Sequence, residues 1–179
     1  MNSAKFRIGI LTLSDKGARG ERTDASGALL RELVADLGAV VRYQVLPDES
    51  AAIRETLAAW ADTEQLALIL TTGGTGLSPR DVTPEATLQV VDRLVPGLAE
   101  AMRAASLAKT PHAMLARGVA GMRGRTLIVN LPGSPKAVRE NLTVILPALP
   151  HALAKLQGDP SDCAQGEVPP AQESPPCPQ

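Results

Sequence analysis

Leu66-Ala67-Leu68-Ile69-Leu70-Thr71-Thr72-Gly73-Gly74-Thr75-Gly76-Leu77-Ser78-Pro79-Arg80-Asp81-Val82-Thr83-Pro84-Glu85 passes without interruption from an apolar run through a glycine loop and a carboxylate to a helix start. The run Leu66–Leu70 suits a strand buried on both faces of a parallel sheet, which delivers the chain to the carboxyl edge where open α/β sheets bind ligands. Gly73, Gly74 and Gly76 permit positive φ and close backbone approach, so successive amides can converge on phosphate oxygens, with the hydroxyls of Thr72, Thr75 and Ser78 as further donors. Thr83-Pro84-Glu85 reads as N-cap, first helical position and first-turn acid. Asp81 then lies beside a phosphate loop, where it would repel the ligand unless a divalent cation intervenes, so phosphate with Mg²⁺ is the expected ligand.

No lysine occurs between Gly73 and Leu107, which excludes a Walker A loop. The first strand runs into Ser14-Asp15-Lys16-Gly17, not a dinucleotide fingerprint.

Outward from this segment, strand and helix signals alternate as in βαβ units. A strand is predicted from Phe6 to Leu13. A helix follows from near Asp24, with Leu30, Leu33, Val34 and Leu37 on one face and Gly38 as its C′ residue. Ala39–Leu46 is the second strand, and Pro47-Asp48-Glu49-Ser50 opens a helix with Ile53, Leu57 and Trp60 inward. Helices are expected over Pro84–Leu94 and Pro96–Lys109, and short strands or a hairpin between Met114 and Arg125. The last strand, Thr126-Leu127-Ile128-Val129-Asn130, runs into Pro132-Gly133-Ser134-Pro135-Lys136 and a helix carrying Val138, Leu142 and Ile145. This repeats the order of strand end, glycine turn, hydroxyl and helix start, now with a lysine. Read alone it is a plain βα turn, but beside the first loop it favours an anion.

The 179 residues, 44% hydrophobic, suit one domain over residues 1–157. From Gly158 to Gln179, proline, glutamine, glutamate and serine dominate, and a disordered tail is expected. A net charge of −1 gives no nucleic-acid footprint, and one Phe, one Tyr and one Trp make no base-stacking platform. No apolar run approaches a membrane span and the amino terminus enters a strand directly, so a cytoplasmic protein is expected. Both cysteines, Cys163 and Cys177, fall in the tail, and His112 and His151 are the only imidazoles, which gives zinc or a His-dependent triad little support.

Thr71-Thr72-Gly73-Gly74-Thr75-Gly76, Arg80-Asp81-Val82-Thr83-Pro84, Leu46-Pro47-Asp48-Glu49 and Asn130-Leu131-Pro132-Gly133-Ser134-Pro135-Lys136 together resemble the molybdenum cofactor biosynthesis family, specifically its Mog-type molybdopterin adenylyltransferases. The resemblance spans roughly Lys5 to Leu149. It implies an α/β fold, three layers with a mainly parallel sheet, and a homotrimer. The implied reaction transfers AMP from Mg-ATP to the phosphate of molybdopterin, before a partner insertase adds molybdate.

By the same resemblance, the two essential acids fall on Asp48 and Asp81, which would hold Mg²⁺ against the triphosphate. Read alone, either acid is also explained as a local helix-start residue. The Thr72–Gly76 loop with Ser78 would cradle phosphate. Ser14, Asp15, Pro132, Gly133, Ser134 and Lys136 would complete the pocket. Arg80 would neutralise phosphate, or pair with Asp81 or a neighbouring subunit. The Ser14–Gly20 loop is expected to be mobile and to close over ligand. The alternative is a non-catalytic pterin-binding paralogue, or a scaffold recognised through its tail.

Overall fold

The computed structural model describes residues 6–160; the Pro-rich tail, apart from its first three residues, lies outside them. Six strands form one sheet in the order β2-β1-β3-β6-β5-β4. β1 (Phe6–Leu13), β2 (Gly38–Leu46), β3 (Leu68–Thr72) and β6 (Thr126–Leu131) are mutually parallel, while β5 (Ala120–Arg123) and β4 (Arg93–Leu94) extend the sheet antiparallel.

The period-two alternation of the central strands builds two cores. Ile8 and Ile10, Leu68 and Leu70, and Leu127 and Val129 point to one face. There they pack with Leu30 and Val34 of α2 (Ala25–Leu33) or just beyond it, Met102 of α5 (Pro96–Leu107), Val138 and Leu142 of α6 (Pro135–Ile145) and Leu153 of α7 (Leu149–Leu156). Leu11, Leu13, Ile69 and Ile128 face the other side, against Ile53, Leu57 and Trp60 of α3 (Ser50–Asp62) and Ala86 of α4 (Thr83–Leu88). The result is three layers, α/β/α, as expected.

The chain steps from β1 outward to β2, then back past β1 to β3. Because crossovers between parallel strands keep one hand, that reversal puts α2 and α3 on opposite faces. The loops leaving β1 and β3 therefore diverge, opening a crevice at the carboxyl edge.

Four local expectations change. The helix after β1 ends at Leu33 with Val34 as its C-cap, because the chain turns there, the Leu37 and Gly38 amides donating to Val34 O at 2.9 and 3.1 Å, and Gly38 opens β2 and is not the helix's C′ residue. The helix expected over Pro84–Leu94 stops at Leu88, because the chain leaves it to join the sheet edge: the Asp92 amide donates to Met122 O at 2.8 Å, the Val95 amide to Ala120 O at 2.8 Å, and Arg93–Leu94 is a strand. Val82, not Thr83, is the cap of α4, and the Thr83 hydroxyl donates instead to Gly73 O at 3.0 Å. The expected loop after β1 contains a one-turn helix, α1 (Asp15–Ala18), capped by Ser14 Oγ, which accepts the Gly17 amide at 3.1 Å. Of the short strands or hairpin expected between Met114 and Arg125, one strand is found, β5, and it makes its hairpin with the last strand, β6, through Gly124. No helix among the described residues is long and apolar enough to cross a membrane.

Candidate active site

The four parallel strands end in the segments that the sequence singles out: Ser14-Asp15 after β1, Pro47-Asp48 after β2, Gly73–Gly76 after β3 and Pro132–Ser134 after β6. They enclose a cleft of about 360 Å³ lined by Ser14, Asp48, Thr72, Gly73, Gly74 and Asp81 on one side and by Asp24, Ser26, Gly133 and Ser134 on the other. Gly73 and Gly74 have φ of +101° and +62°. Any Cβ would collide, at Gly73 with Leu13 O at 2.2 Å and at Gly74 with Thr83 Oγ1 at 2.3 Å. Glycine is thus required twice, for handedness and for room. The Gly73 amide is used, donating to Leu131 O at 3.2 Å, whereas the amides of Gly74, Thr75 and Gly76 donate to no acceptor among the described residues. Three adjacent amides are free for an anion.

Asp48 and Asp15 exchange backbone-to-carboxylate bonds. The Asp15 amide donates to Asp48 Oδ2 at 3.2 Å and the Asp48 amide to Asp15 Oδ1 at 3.1 Å, which ties α1 to the β2–α3 turn. Arg80 secures this pair with Nε to Asp15 Oδ2 at 3.0 Å and Nη2 to Asp15 Oδ1 at 2.8 Å, and also reaches Glu49 at 2.9 Å. These Arg80 bonds, with the Asp48 amide, hold the Asp15 carboxyl below its ordinary range. Asp48 moves the other way. Burial raises its carboxyl, and the like charges of Asp15 and Asp81 add to that, against the Asp15 amide and Arg80. Its Oδ1 is buried without any hydrogen-bond partner, a costly condition that a bound cation would relieve. Asp81 anchors the far limb of the glycine loop, Oδ2 accepting the Ser78 amide at 2.8 Å.

Several residues that build this site carry no recognisable signal in the sequence. Asp24 lines the cleft but is saturated, accepting from the Gly27 amide at 2.9 Å, Thr12 Oγ1 at 2.5 Å and Tyr43 Oη at 2.6 Å. Burial works to raise its carboxyl, but these bonds outweigh it and the net shift is downward. Ser26 Oγ donates to Gly133 O at 2.7 Å, joining α2 to the second loop. Arg117 grips the glycine loop. Its amide donates to Thr75 O at 3.1 Å, its Nε to Gly76 O at 2.7 Å, its Nη2 to Asp81 O at 2.5 Å, and Nη1 bonds Glu85. An S/T-D helix start hints at Asp24; nothing local marks Arg117, whose partners are distant in sequence.

The remaining expected residues separate into groups. Ser14, Thr72, Gly73, Gly74, Gly133 and Ser134 line the cleft. Ser14 Oγ and Ser134 Oγ are occupied as helix caps, and Thr72 Oγ1 donates to Pro132 O at 2.7 Å, clasping the two loops together. Ser78, Arg80 and Lys136 are exposed and do not line the cleft. Arg22 is the only cation among the lining residues.

Beyond the clasped loops lies a second pocket of about 230 Å³, between α5, α6 and the 3₁₀ turn Pro111–Leu115. Thr75 and Pro132, chain neighbours of cleft residues, form its near wall, and Met102, Ala113 and Ala137 supply apolar surface. At its floor Asn130 is fully satisfied. Its Nδ2 donates to Thr71 Oγ1 at 3.0 Å and Thr87 Oγ1 at 2.9 Å, and its Oδ1 accepts the Val119 amide at 3.2 Å. The two loops thus form a ridge with a polar cleft on one side and an apolar pocket on the other.

Among the described residues no group of three or more His, Cys, Asp or Glu side chains is gathered to hold a metal. Two carboxylates with a ligand's phosphate oxygens are the usual way Mg²⁺ is held, and the orphaned Asp48 Oδ1 fits that donor set.

Residues 9–151 match the family described as "Probable molybdopterin binding domain". Gephyrin of Dictyostelium discoideum is 43% identical over 164 residues, covering 86% of this chain but only 23% of the relative, so the chain spans about a quarter of that longer protein. The molybdopterin adenylyltransferase of Helicobacter pylori J99 is 39% identical over 157 residues, covering 86% of this chain and 89% of the relative. Among solved structures, the molybdopterin biosynthesis enzyme MoaB of Thermus thermophilus superposes with a TM-score of 0.82 at 60% identity, covering 87% of this chain and 98% of that one. With this fold, these loops and this match over most of its length, the chain belongs to the molybdopterin-binding domain family of molybdenum cofactor biosynthesis.

Proposed function

We propose that this chain is a molybdopterin adenylyltransferase, transferring AMP from Mg-ATP to the molybdopterin phosphate to give adenylylated molybdopterin and pyrophosphate. A phosphate oxygen of molybdopterin attacks the α-phosphorus of ATP, the bond from that phosphorus to the α–β bridging oxygen breaks, and its electron pair leaves with pyrophosphate. The observation that carries this reading is the buried, unpartnered Oδ1 of Asp48 in a cleft shared with Asp81 and lined by Gly74, the first of three successive residues whose amides are free. The relatives' names support it at matching length.

Asp48 and Asp81 would hold Mg²⁺, which when bound neutralises triphosphate charge and polarises the reacting phosphorus. The free amides of Gly74, Thr75 and Gly76 meet negative charge as it builds on the phosphoryl oxygens. Arg80 acts by holding Asp15 against Asp48, and so sets the direction of the unpartnered oxygen. Thr72, clasped to Pro132, keeps the ridge narrow enough for one substrate to straddle it. We place the pterin in the apolar pocket, because its own phosphate is the nucleophile and must reach over the ridge into the cleft. ATP binding, a cytoplasmic homotrimer and a downstream molybdenum insertase belong to the same reading.

The test incubates the protein with molybdopterin, ATP and Mg²⁺ and follows pyrophosphate and adenylylated pterin, beside Asp48→Ala and Asp81→Ala. Turnover by the wild type that drops at least about a hundredfold in each variant is expected. Pterin binding without turnover would leave a binding paralogue as the better account.

A further inference from the structure

The apolar pocket carries two opposite charges that ignore each other. Arg103 turns its Nη1 to Gly118 O at 3.0 Å, and Glu140 pairs at 3.2 Å with Lys109, at the surface. Both line the pocket, where Glu140 is the only carboxylate, and no ion pair joins them. Glu140 is not needed to build the fold: it is half-buried on the outer turn of α6, whose inward face is Val138, Leu142 and Ile145. Of the pocket's other polar side chains, Ser106, Asn141 and Asn130 already bond one another, the backbone or neighbouring threonines, and Thr110 Oγ1 accepts the His112 amide, which leaves the Thr75 hydroxyl and the His112 imidazole as the uncharged groups without a bond among the described residues. A carboxylate offers only acceptors and a guanidinium only donors.

The fused rings that this reaction handles differ along their edges. The 2-amino-4-oxopyrimidine edge of a pterin presents two adjacent donors, the 2-amino group and N3–H, followed by the acceptor O4; N5 accepts only in an oxidised pterin and carries a hydrogen in the reduced ring of molybdopterin. Adenine alternates donor and acceptor, and its N1 would face a carboxylate lone pair to lone pair. The pocket's one carboxylate and one guanidinium match the first pattern and clash with the second.

We infer that Glu140 and Arg103 are the specificity determinants of the ring pocket, Glu140 accepting from the 2-amino group and N3–H of the pterin and Arg103 donating to its O4. This rests on the placement of the pterin proposed above, and gives that pocket selectivity against adenine and against pterins lacking the 2-amino group. No bond is made or broken in this step.

The experiment measures direct binding of two fluorescent probes, pterin and lumazine, at a pH where both are neutral. Lumazine has an oxo group where pterin has the 2-amino group, so it presents an acceptor beside N3–H. Wild type should bind pterin more tightly than lumazine by about tenfold to a hundredfold, the cost of facing a carboxylate with an acceptor. Glu140→Gln supplies one acceptor and one donor, the complement of lumazine, and should collapse or reverse the preference. Lys109→Gln breaks the surface ion pair alone and should leave the preference intact. Equal binding of the two probes by wild type, or a preference that survives Glu140→Gln in a variant with an unchanged melting temperature, overturns the inference. A wild type that discriminates the probes but transfers no AMP would instead refute the catalytic reading and leave this one standing.

Discussion

Replacing Gly74 by alanine separates two demands that the glycine loop makes on its backbone. At φ +62° an L-residue pays roughly 1 kcal/mol for the left-handed conformation. The added Cβ would also lie 2.3 Å from Thr83 Oγ1 and 2.8 Å from Asp48 Oδ1, so the Thr83 hydroxyl must withdraw by about 1 Å to reach ordinary contact. That breaks its bond to Gly73 O, worth about 1 kcal/mol more. A total near 2 kcal/mol corresponds to a fall in melting temperature of roughly 4–8 °C for a domain of this size. Turnover should suffer more, because the same methyl displaces the unpartnered oxygen of Asp48, and misplacement on the order of 1 Å costs about a hundredfold. Gly124→Ala is the control: its φ is +54° but nothing lies within 4 Å of an added Cβ, so it should lose about 1 kcal/mol and no turnover. Calorimetric melting and adenylyl transfer are measured on both. If Gly74→Ala keeps wild-type turnover, or the two variants lose equal stability and activity, the loop does not position Asp48 and the argument from crowding fails.

Two further predictions test the frame around the site. Arg117→Ala removes side-chain bonds to Gly76 O and Asp81 O and the pair with Glu85, and should lower turnover at least about tenfold for a stability loss of about 1–2 kcal/mol; Arg117→Lys should restore little, since one ammonium cannot span the fork's acceptors, and full recovery would refute a fork-shaped role. Tyr43 is the only tyrosine, so tyrosinate absorbance reads it alone; burial first, then its bond to Asp24, push it up to about 12. Because the folded value lies above the ordinary one near 10, Tyr43 contributes stability that is complete below about pH 10 and lost as pH rises toward 12. Tyr43→Phe should flatten that alkaline loss in urea midpoints followed by Trp60 fluorescence, and a tyrosinate midpoint near 10 would refute the coupling.

The parallel strands were legible because each is a short apolar run ending in turn residues, and their alternation makes both cores. Strand order was not legible, since pairing depends on partners distant in the chain. The edge was misread for a definite reason. Leu88 to Leu94 carries apolar residues at helical spacing, but the carbonyls of Ala120 and Met122 take amides from Val95 and Asp92 and draw the chain into the sheet. Asp81 and the glycine loop announce themselves by local chemistry, and Asp48 by the resemblance. Arg117, Ser26 and Asn130 do not, because each acts on a segment tens of residues away, and the apolar pocket is assembled from α5, α6 and a 3₁₀ turn that individually look like ordinary amphipathic structure.

The acids around the cleft show which part of the site belongs to the protein and which part awaits a ligand. Asp15, Asp24, Asp48 and Asp81 all stand at its edge or inside it. Asp15 is neutralised by Arg80, and Asp24 by an amide and two hydroxyls; both are held ionised below their ordinary range by donors the fold itself supplies. Asp48 and Asp81 each keep one oxygen that accepts nothing from the described residues, and burial, with the like charges of Asp15 and Asp81, raises Asp48 against the weaker pull of the Asp15 amide and Arg80. A fold that stabilised only itself would have no reason to leave those two oxygens open while satisfying their neighbours so completely. Arg22 is one guanidinium against three lining carboxylates, too little to admit a free triphosphate. In the reaction proposed above, the missing positive charge would arrive with the substrate, a nucleotide already complexed to a divalent cation bringing it to the two carboxylates left open.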